Sequence, residues 1–243
     1  MTANLHEIMC TIQGEGALVG SSQVFVRFSG CNLSCLYCDT EKSFVESKVC
    51  NIYKQVGTNK DIDTVNNPLS VDMVSNIIKR YKSPWVSFTG GEPLLNADFI
   101  AKIILDLQGY GYQFLLETNG TLPEQLAKVI DLIDYISMDI KLPSTVGQNY
   151  FSQHKEFLSI AQQKPCYLKM VLIPEYTREE ITPMLQLIKN INPDIPLFIQ
   201  PVTPRKGFNT LNIFECIDVQ NYCLDYVNDV RILPQIHPWL GLI

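Results

Sequence analysis

The sequence predicts an α/β protein with an open, incomplete β/α barrel. Short runs rich in β-branched and aromatic residues alternate along the chain with segments of helical periodicity. This alternation is typical of parallel strands joined by right-handed helical crossovers. About six such units can be counted, whereas a closed barrel of this kind has eight, so we expect a partial TIM-like barrel.

The order of the elements follows from these patterns. The first predicted strand covers residues 23–29, where apolar and polar side chains alternate, and a cysteine-rich loop follows it. Later strands are predicted at residues 85–88, 113–116, 135–138, 167–173, 197–199 and 230–233. Helices are predicted at residues 70–81, 96–109, 122–133, 150–162, 178–189 and 212–226. The spacing of Thr177 and Glu180 predicts a capping box at the start of the helix at 178–189.

One stretch lacks a clear period. Residues 41–69 are rich in Lys, Asn and Asp, and we interpret them as an insertion or loop with a small hairpin near residues 49–56. No repeat, low-complexity tract or linker interrupts the chain. The sequence therefore predicts a single domain over residues 1–243.

Composition limits the function. The chain has 243 residues, 46% of them apolar, which is enough for one sizeable core. It has neither a secretion signal at its N-terminus nor an apolar run that could cross a bilayer, which predicts a cytoplasmic protein without a membrane partner. In that reducing compartment the eight cysteines favour metal or cluster chemistry over disulfides. A net charge of −6 does not favour nucleic-acid binding.

The stretch GCNLSCLYCDT places Cys31, Cys35 and Cys38 within eight residues. Three thiolates can hold three irons of a four-iron, four-sulfur cluster and leave the fourth iron open to another molecule. A redox dithiol at Cys35 and Cys38 would leave Cys31 without a role. A structural zinc site remains an alternative if a fourth ligand comes from Cys10, Cys50 or His6.

Polar clusters follow several predicted strands. They are TGGEP at residues 89–93, ETNG at 117–120, SMDIK at 137–141 and QP at 200–201. Ligands bind at the carboxyl ends of parallel strands, so we expect these clusters to share one pocket with the cysteine loop. Each cluster could alternatively be an ordinary capping or turn motif.

The cysteine spacing CxxxCxxC, with Tyr37 before the last cysteine, resembles the signature of the radical S-adenosylmethionine (SAM) superfamily, and TGGEP resembles its GGE motif. The resemblance implies a 4Fe-4S cluster on the three cysteines. SAM would chelate the open iron, and one electron would then cleave SAM to give a 5′-deoxyadenosyl radical. The SAM contacts it implies are Tyr37, Gly91, Glu92, Glu117, Ser137, Asp139, Lys141 and Gln200.

A narrower resemblance covers most of the chain. The QGEG, VRFSGCN and CDT elements within residues 10–40, followed by TGGEP, ETNG and the C-terminal HPWLG, resemble the 7-carboxy-7-deazaguanine synthases. That family implies conversion of 6-carboxy-5,6,7,8-tetrahydropterin to 7-carboxy-7-deazaguanine, a precursor of queuosine-type deazapurines used in tRNA modification. Hydrogen abstraction from C6, radical ring contraction and loss of ammonia are the implied steps.

The same resemblance implies a substrate site and a Mg²⁺ ion. Arg27 would bind the substrate carboxylate through its planar fork. Thr40 would ligate Mg²⁺, and Asp39 would support the Mg²⁺ site without ligating the ion. The substrate contacts it implies are Ile12, Gln13, Gly14, Glu15, Arg27, Thr89, Gly90 and His237. An exposed ion pair on the strand surface is the alternative for Arg27. A flavodoxin or ferredoxin as electron donor and a homodimer are further implications.

The chain departs from the family in two places. SMDIK stands where bacterial members often have Ser-Pro-Lys, and Pro238 follows His237 where a basic residue is common. We predict His6 and His154 to be surface residues. Two other functions remain open, a small activase that generates a glycyl radical on a partner protein and a zinc-stabilised binding module without enzymatic activity.

Overall fold

The computed structural model describes residues 1–54, 61–204 and 209–242. In these ranges the strands are β1 (Thr2–Ala3), β2 (Leu5–Ile12), β3 (Ser22–Phe28), β4 (Val49–Tyr53), β5 (Ile62–Asn66), β6 (Leu69–Ser70), β7 (Trp85–Gly90), β8 (Gln113–Thr118), β9 (Tyr135–Ile140), β10 (Cys166–Leu172), β11 (Leu197–Pro201) and β12 (Val230–Ile232). The α-helices are α1 (Val71–Ile78), α2 (Ala97–Asp106), α3 (Pro123–Ala127), α4 (Pro143–Val146), α5 (Phe151–Ala161), α6 (Arg178–Ile191) and α7 (Ile213–Leu224).

The main sheet contains ten of the described strands, in the order β12-β11-β10-β9-β8-β7-β3-β2-β4-β5. From β3 through β12 each neighbouring pair is parallel, and helices connect the successive strands. The six parallel crossovers match the predicted number of units. Because β12 and β5 form opposite edges of the sheet, the barrel is open, and the predicted fold class is confirmed.

The structure adds strands that the sequence pattern did not predict. β2 pairs antiparallel with β3 and parallel with β4, although the predicted strands began only at residue 23. Within residues 41–69, β4 pairs antiparallel with β5, so the hairpin predicted near residues 49–56 has its second arm further along the chain. Its predicted end at residues 55–56 lies outside the described residues. Strands β4 and β5 of this stretch therefore extend the main sheet.

Helix ends follow local capping chemistry. The capping box is confirmed: the Thr177 hydroxyl accepts from the Glu180 N–H, and the Glu180 carboxylate accepts from the Thr177 N–H at 2.9 Å. The helix predicted at 122–133 is wrong in length, because α3 ends at Ala127 and a separate 3₁₀ turn covers Ile130–Leu132. The N-cap of α1 is Ser70, as the predicted start implied.

One large hydrophobic core extends from Ala3 to Val230. The prediction that His154 is a surface residue is wrong: its side chain is fully buried, and its Nε2 lies 3.2 Å from the Asn119 carbonyl oxygen. Burial lowers the pKa of His154 to about 4, so the ring is neutral at neutral pH. His6 is half-buried. Among the described residues, none of the helices is long and apolar enough to cross a membrane.

Candidate active site at the carboxyl ends of the strands

A cavity of about 460 Å³ opens where the parallel strands end. Its walls come from the cysteine loop after β3, the segment after β2, the ends of β7 to β11 and residues near the C-terminus. The volume lies in the usual range for small-molecule sites. The polar clusters predicted to share one pocket do share it, because parallel strands bring their carboxyl ends to one edge of the sheet.

The three cysteines of the loop all line this cavity and are half-buried. The backbone N–H of Leu33 donates to the Cys31 sulfur at 3.4 Å, as donors to cluster thiolates do. Burial raises the pKa of Cys31 to about 11, so a metal must displace a proton from this thiol. Three thiols on one wall, one of them already receiving an N–H bond, fit a cluster with one open iron.

The remaining cysteines do not compete for this role. They are buried away from the cavity walls, and they are Cys10, Cys50, Cys166, Cys216 and Cys223. His6 does not line the cavity either. None of the residues suggested as a fourth zinc ligand therefore lies on the wall that carries the three thiols.

The TGGEP turn packs directly under the cysteine loop. The N–H of Glu92 donates to the Gly30 carbonyl at 2.9 Å, and the N–H of Gly91 donates to the Phe28 carbonyl at 3.1 Å. A side chain at Gly91 would place its Cβ 2.0 Å from the Gly30 oxygen, so only glycine permits this approach. The two motifs are thus one structural unit.

Glu92 differs from its predicted role as a SAM contact. It is fully buried and does not line the cavity. Its carboxylate accepts from the Thr118 hydroxyl at 2.8 Å, the Asn119 N–H at 2.8 Å and the Leu94 N–H at 3.0 Å. Burial raises the pKa of Glu92 to about 7, although these hydrogen bonds oppose the shift. The carboxylate therefore holds the ETNG turn in place.

The ETNG turn also fixes the position of the cysteine loop. The Asn119 amide donates to the Asn32 side-chain oxygen at 2.9 Å, and the Asn32 amide donates to the Thr121 hydroxyl at 2.8 Å. Asn32 lies directly after Cys31. These contacts fix the position of the loop with respect to β8.

Ser137 also differs from its predicted role. It is buried and does not line the cavity, and its hydroxyl is hydrogen-bonded to the phenol of Tyr167. Because side chains alternate along a strand, Asp139 and Lys141 lie on the same face as Ser137 but nearer the strand end, where they reach the cavity. Of the three SMDIK residues predicted to contact SAM, Asp139 and Lys141 line the cavity and Ser137 does not.

A chain of buried charges crosses the floor of the cavity. Lys141 donates to Asp139 at 2.8 Å and to the Tyr37 hydroxyl at 3.0 Å. Lys169 lies 3.2 Å from the other Asp139 oxygen and also contacts Glu15. Burial alone would lower the pKa of both lysines, but the adjacent carboxylates outweigh burial and raise it. Both ammonium groups are therefore permanently charged.

The second half of the cavity wall is built on the QGEG segment. The Gln13 amide donates to Glu117 at 2.5 Å, and its oxygen accepts from the Glu15 N–H at 3.1 Å. The Gln235 amide bridges two carboxylates, those of Glu15 at 2.5 Å and Asp39 at 2.8 Å. Glu117, predicted among the SAM contacts, is thus joined to the group predicted to bind substrate.

Arg27 is not the exposed ion pair considered as its alternative. Its Nε donates to the Glu7 carboxylate at 2.7 Å, and the two side chains are only 14% and 10% exposed. Both residues line the cavity. Arg27 therefore presents a buried cation to the site.

The C-terminal segment closes one side of the cavity. The N–H of Ile236 donates to the Gly14 carbonyl at 3.0 Å, and a Cβ at Gly14 would lie 2.4 Å from Nδ1 of His237. Glycine at this position allows His237 to pack against the QGEG segment. His237, Glu15 and Asp39 also have ligand atoms within 4.8 Å of one another.

The cavity brings together most of the predicted site residues. Those that line it are Ile12, Gln13, Gly14, Glu15, Arg27, Cys31, Cys35, Tyr37, Cys38, Thr40, Thr89, Gly90, Gly91, Glu117, Asp139, Lys141, Gln200 and His237. Glu92 and Ser137 lie behind the wall. Sequence reasoning missed Glu7, Lys169 and Gln235, which line the cavity but belong to none of the motifs.

Comparison with known proteins identifies the class. A sequence profile of the Radical SAM superfamily matches residues 25–188, which is more than half of the chain. The chain therefore belongs to this superfamily of enzymes, whose members use SAM and a 4Fe-4S cluster.

Curated relatives narrow the class. One named 7-carboxy-7-deazaguanine synthase from Geobacter sulfurreducens is 39% identical over 98% of this chain and 97% of its own length. Another of that name from Archaeoglobus fulgidus is 34% identical over the full length of both. The chain belongs to the 7-carboxy-7-deazaguanine synthase family.

Solved structures agree on the fold. A crystal structure of QueE from Escherichia coli matches with a TM-score of 0.63 at 20% identity and covers 97% of this chain and 94% of that one. A radical SAM methyltransferase from Sphaerobacter thermophilus matches with a TM-score of 0.62 at 12% identity, covering 88% of this chain and 66% of that one. The predicted family is confirmed, and the activase and zinc-module readings are not favoured.

Proposed function

We propose that the protein converts 6-carboxy-5,6,7,8-tetrahydropterin to 7-carboxy-7-deazaguanine with loss of ammonia. The observation that carries this proposal is the single cavity that joins three cluster-type thiols to a buried arginine and a set of carboxylates and amides. A pterin carboxylate needs a cation, and its pyrimidine edge needs planar donors and acceptors. The family membership supports the same reaction.

The half of the cavity nearest the cysteines would hold SAM. A cluster on Cys31, Cys35 and Cys38 together with SAM supplies one-electron cleavage of SAM to a 5′-deoxyadenosyl radical. Lys141 offers a permanently charged ammonium beside Tyr37, and Gly91 lines the same cavity. Gln200 at the end of β11 completes this wall. These residues bind and orient SAM.

The other half would hold the pterin. Gln13, Glu15 and Glu117 are already joined by hydrogen bonds and can exchange them for contacts to the pyrimidine edge. Arg27 would bind the substrate carboxylate with its Nη donors, since its Nε is occupied by Glu7. In this arrangement Glu117 would contact the pterin and not SAM.

Mg²⁺ would be held by Thr40. Its hydroxyl lines the cavity and lies 3.6 Å from the Cys38 sulfur, and the adjacent Asp39 also lines the cavity. A single neutral ligand suits Mg²⁺, which keeps waters and takes further oxygens from substrate. An electron donor such as flavodoxin or ferredoxin and a homodimer complete the proposal on the strength of the family resemblance. The single domain over residues 1–243 is proposed from the absence of a repeat or linker in the sequence.

Thr40→Val should lower turnover about tenfold and abolish stimulation by Mg²⁺, because it deletes one hard oxygen ligand at nearly constant volume. Turnover is measured across a Mg²⁺ titration, with cluster content followed by iron analysis. Thr182→Val on α6 removes a hydroxyl outside the cavity and is the matched control. A Mg²⁺ response equal to that of wild type would exclude Thr40 as the ligand.

The proposed function is tested by mass spectrometry of an anaerobic reaction. Reconstituted protein with SAM, Mg²⁺, a reductant and the carboxylated pterin should form deazapurine, ammonia and 5′-deoxyadenosine. Formation of 5′-deoxyadenosine without a deazapurine would reject this substrate and keep the radical chemistry. A glycyl radical on a partner protein would favour the activase.

A further inference from the structure

Arg27 has a buried partner that is itself held by a third residue. Glu7 accepts from Arg27 Nε through Oε1 at 2.7 Å and from the Tyr53 hydroxyl through Oε2 at 3.1 Å. Tyr53 and Glu7 are each 8% exposed. The three side chains form a line from the sheet into the cavity, which we call the Tyr53–Glu7–Arg27 relay.

A second arginine–carboxylate pair in the structure has a different geometry. On the surface, Arg231 binds Asp229 through both Nε and Nη2, at 2.9 and 2.6 Å, so that the carboxylate occupies the fork. In the relay, the second carboxylate oxygen of Glu7 is bonded to the Tyr53 hydroxyl instead. Arginine has five N–H donors, so the Nη donors of Arg27 remain for a second carboxylate.

Tyr53 comes from the stretch that sequence analysis read as an insertion. It is the last residue of β4, which pairs with β2 where that strand carries Glu7. The carbonyl oxygen of Tyr53 accepts from the Tyr81 hydroxyl at 2.6 Å, and its ring packs with Met9 and Phe25, which line the cavity. The strand therefore holds the phenol at the back of the site.

We propose that Tyr53 is a positioning residue that makes the site selective for a carboxylated substrate. By hydrogen-bonding to Oε2 of Glu7, it holds that oxygen away from the Arg27 fork and leaves the Nη donors directed to the substrate. Residues 41–69 thereby contribute to substrate selection. This inference rests on the proposed function, in which Arg27 binds the substrate carboxylate.

The test uses pterin-6-carboxylate and pterin, two aromatic probes that cannot undergo the reaction. Binding of each is measured by anaerobic calorimetry with the full chain, reconstituted cluster and SAM. Wild type should prefer the carboxylated probe. Tyr53→Phe should reduce that preference about tenfold, because Glu7 can then compete for the Arg27 fork. Affinity for SAM should not change.

Two further variants separate positioning from a general loss of structure. Tyr222→Phe removes a hydroxyl on α7 that bonds Thr182 outside the cavity, and it should keep the wild-type preference. Adding Glu7→Gln to Tyr53→Phe should restore the preference, because an amide has only one oxygen to accept from Arg27.

The outcomes distinguish the inference from the function on which it rests. An unchanged preference in Tyr53→Phe, or failure of Glu7→Gln to restore it, overturns the role of Tyr53 and leaves the proposed reaction standing. Equal binding of both probes by wild type overturns the carboxylate site at Arg27, and the inference with it.

Discussion

Cys35→Ala should abolish product formation and remove the cluster. Reconstituted wild type should bind about four irons per chain, since three thiolates hold one cube and leave its fourth iron for SAM. With two thiolates the cube loses a corner ligand, so iron should fall to background and no 5′-deoxyadenosine should form. Iron and sulfide analysis, together with chromatography of the anaerobic reaction, measures both. Cys31→Ala and Cys38→Ala should behave in the same way.

Cys50→Ala and Cys216→Ala are the matched controls for this experiment. Both cysteines are buried in the hydrophobic core and away from the cavity. Their loss should lower the free energy of unfolding modestly, since a small buried group is deleted, and should leave iron content unchanged. Loss of iron in either control, or full iron in Cys35→Ala, would show that the cluster ligands are assigned incorrectly.

Lys169→Met should have the next largest effect, on both stability and activity. The ammonium contacts Glu15 and Asp139, and its side chain is only 12% exposed. Removing it takes a cation from Glu15 and one of two cations from Asp139, which keeps Lys141, and should lower the free energy of unfolding by about 3 kcal/mol. Because Glu15 and Asp139 both line the cavity and Lys169 holds them in place, kcat/KM should fall on the order of a hundredfold. Chemical denaturation and steady-state kinetics measure the two effects.

Lys164→Met provides the comparison, because Lys164 lies just before the same strand and its ammonium donates to the Asp131 carbonyl at the surface. Its stability and turnover should stay near those of wild type. If Lys169→Met matched Lys164→Met in both measurements, the buried charges would not support the site.

Sequence motifs predicted the parts of the site whose chemistry depends on residues close together in the chain. The cysteine spacing and TGGEP specify local turns, and both contribute residues to the cavity wall, although Glu92 does not. Glu92 was misplaced because its motif specifies a turn and does not show which way the carboxylate points. Here it points inward, to the Thr118 hydroxyl and the Asn119 N–H.

The residues missed by sequence reasoning are isolated polar positions in otherwise ordinary strands and loops. Lys169 lies in β10 among apolar neighbours, and only the contact with Glu15 and Asp139 reveals its function. β2 carries apolar side chains towards both faces of the sheet, so it lacks the alternation by which β3 was recognised. The polar, largely exposed residues of β5 gave residues 41–69 the composition of a loop.

The two halves of the cavity differ in how far apart their residues lie along the chain. The three cysteines fall within eight consecutive residues. By contrast, the hydrogen bonds of the substrate half join positions 104, 154 and 220 residues apart, the last between Glu15 and Gln235. Contacts of such separation form late in folding, because long loops must close first. The substrate half is therefore complete only after the C-terminal segment docks on Gly14.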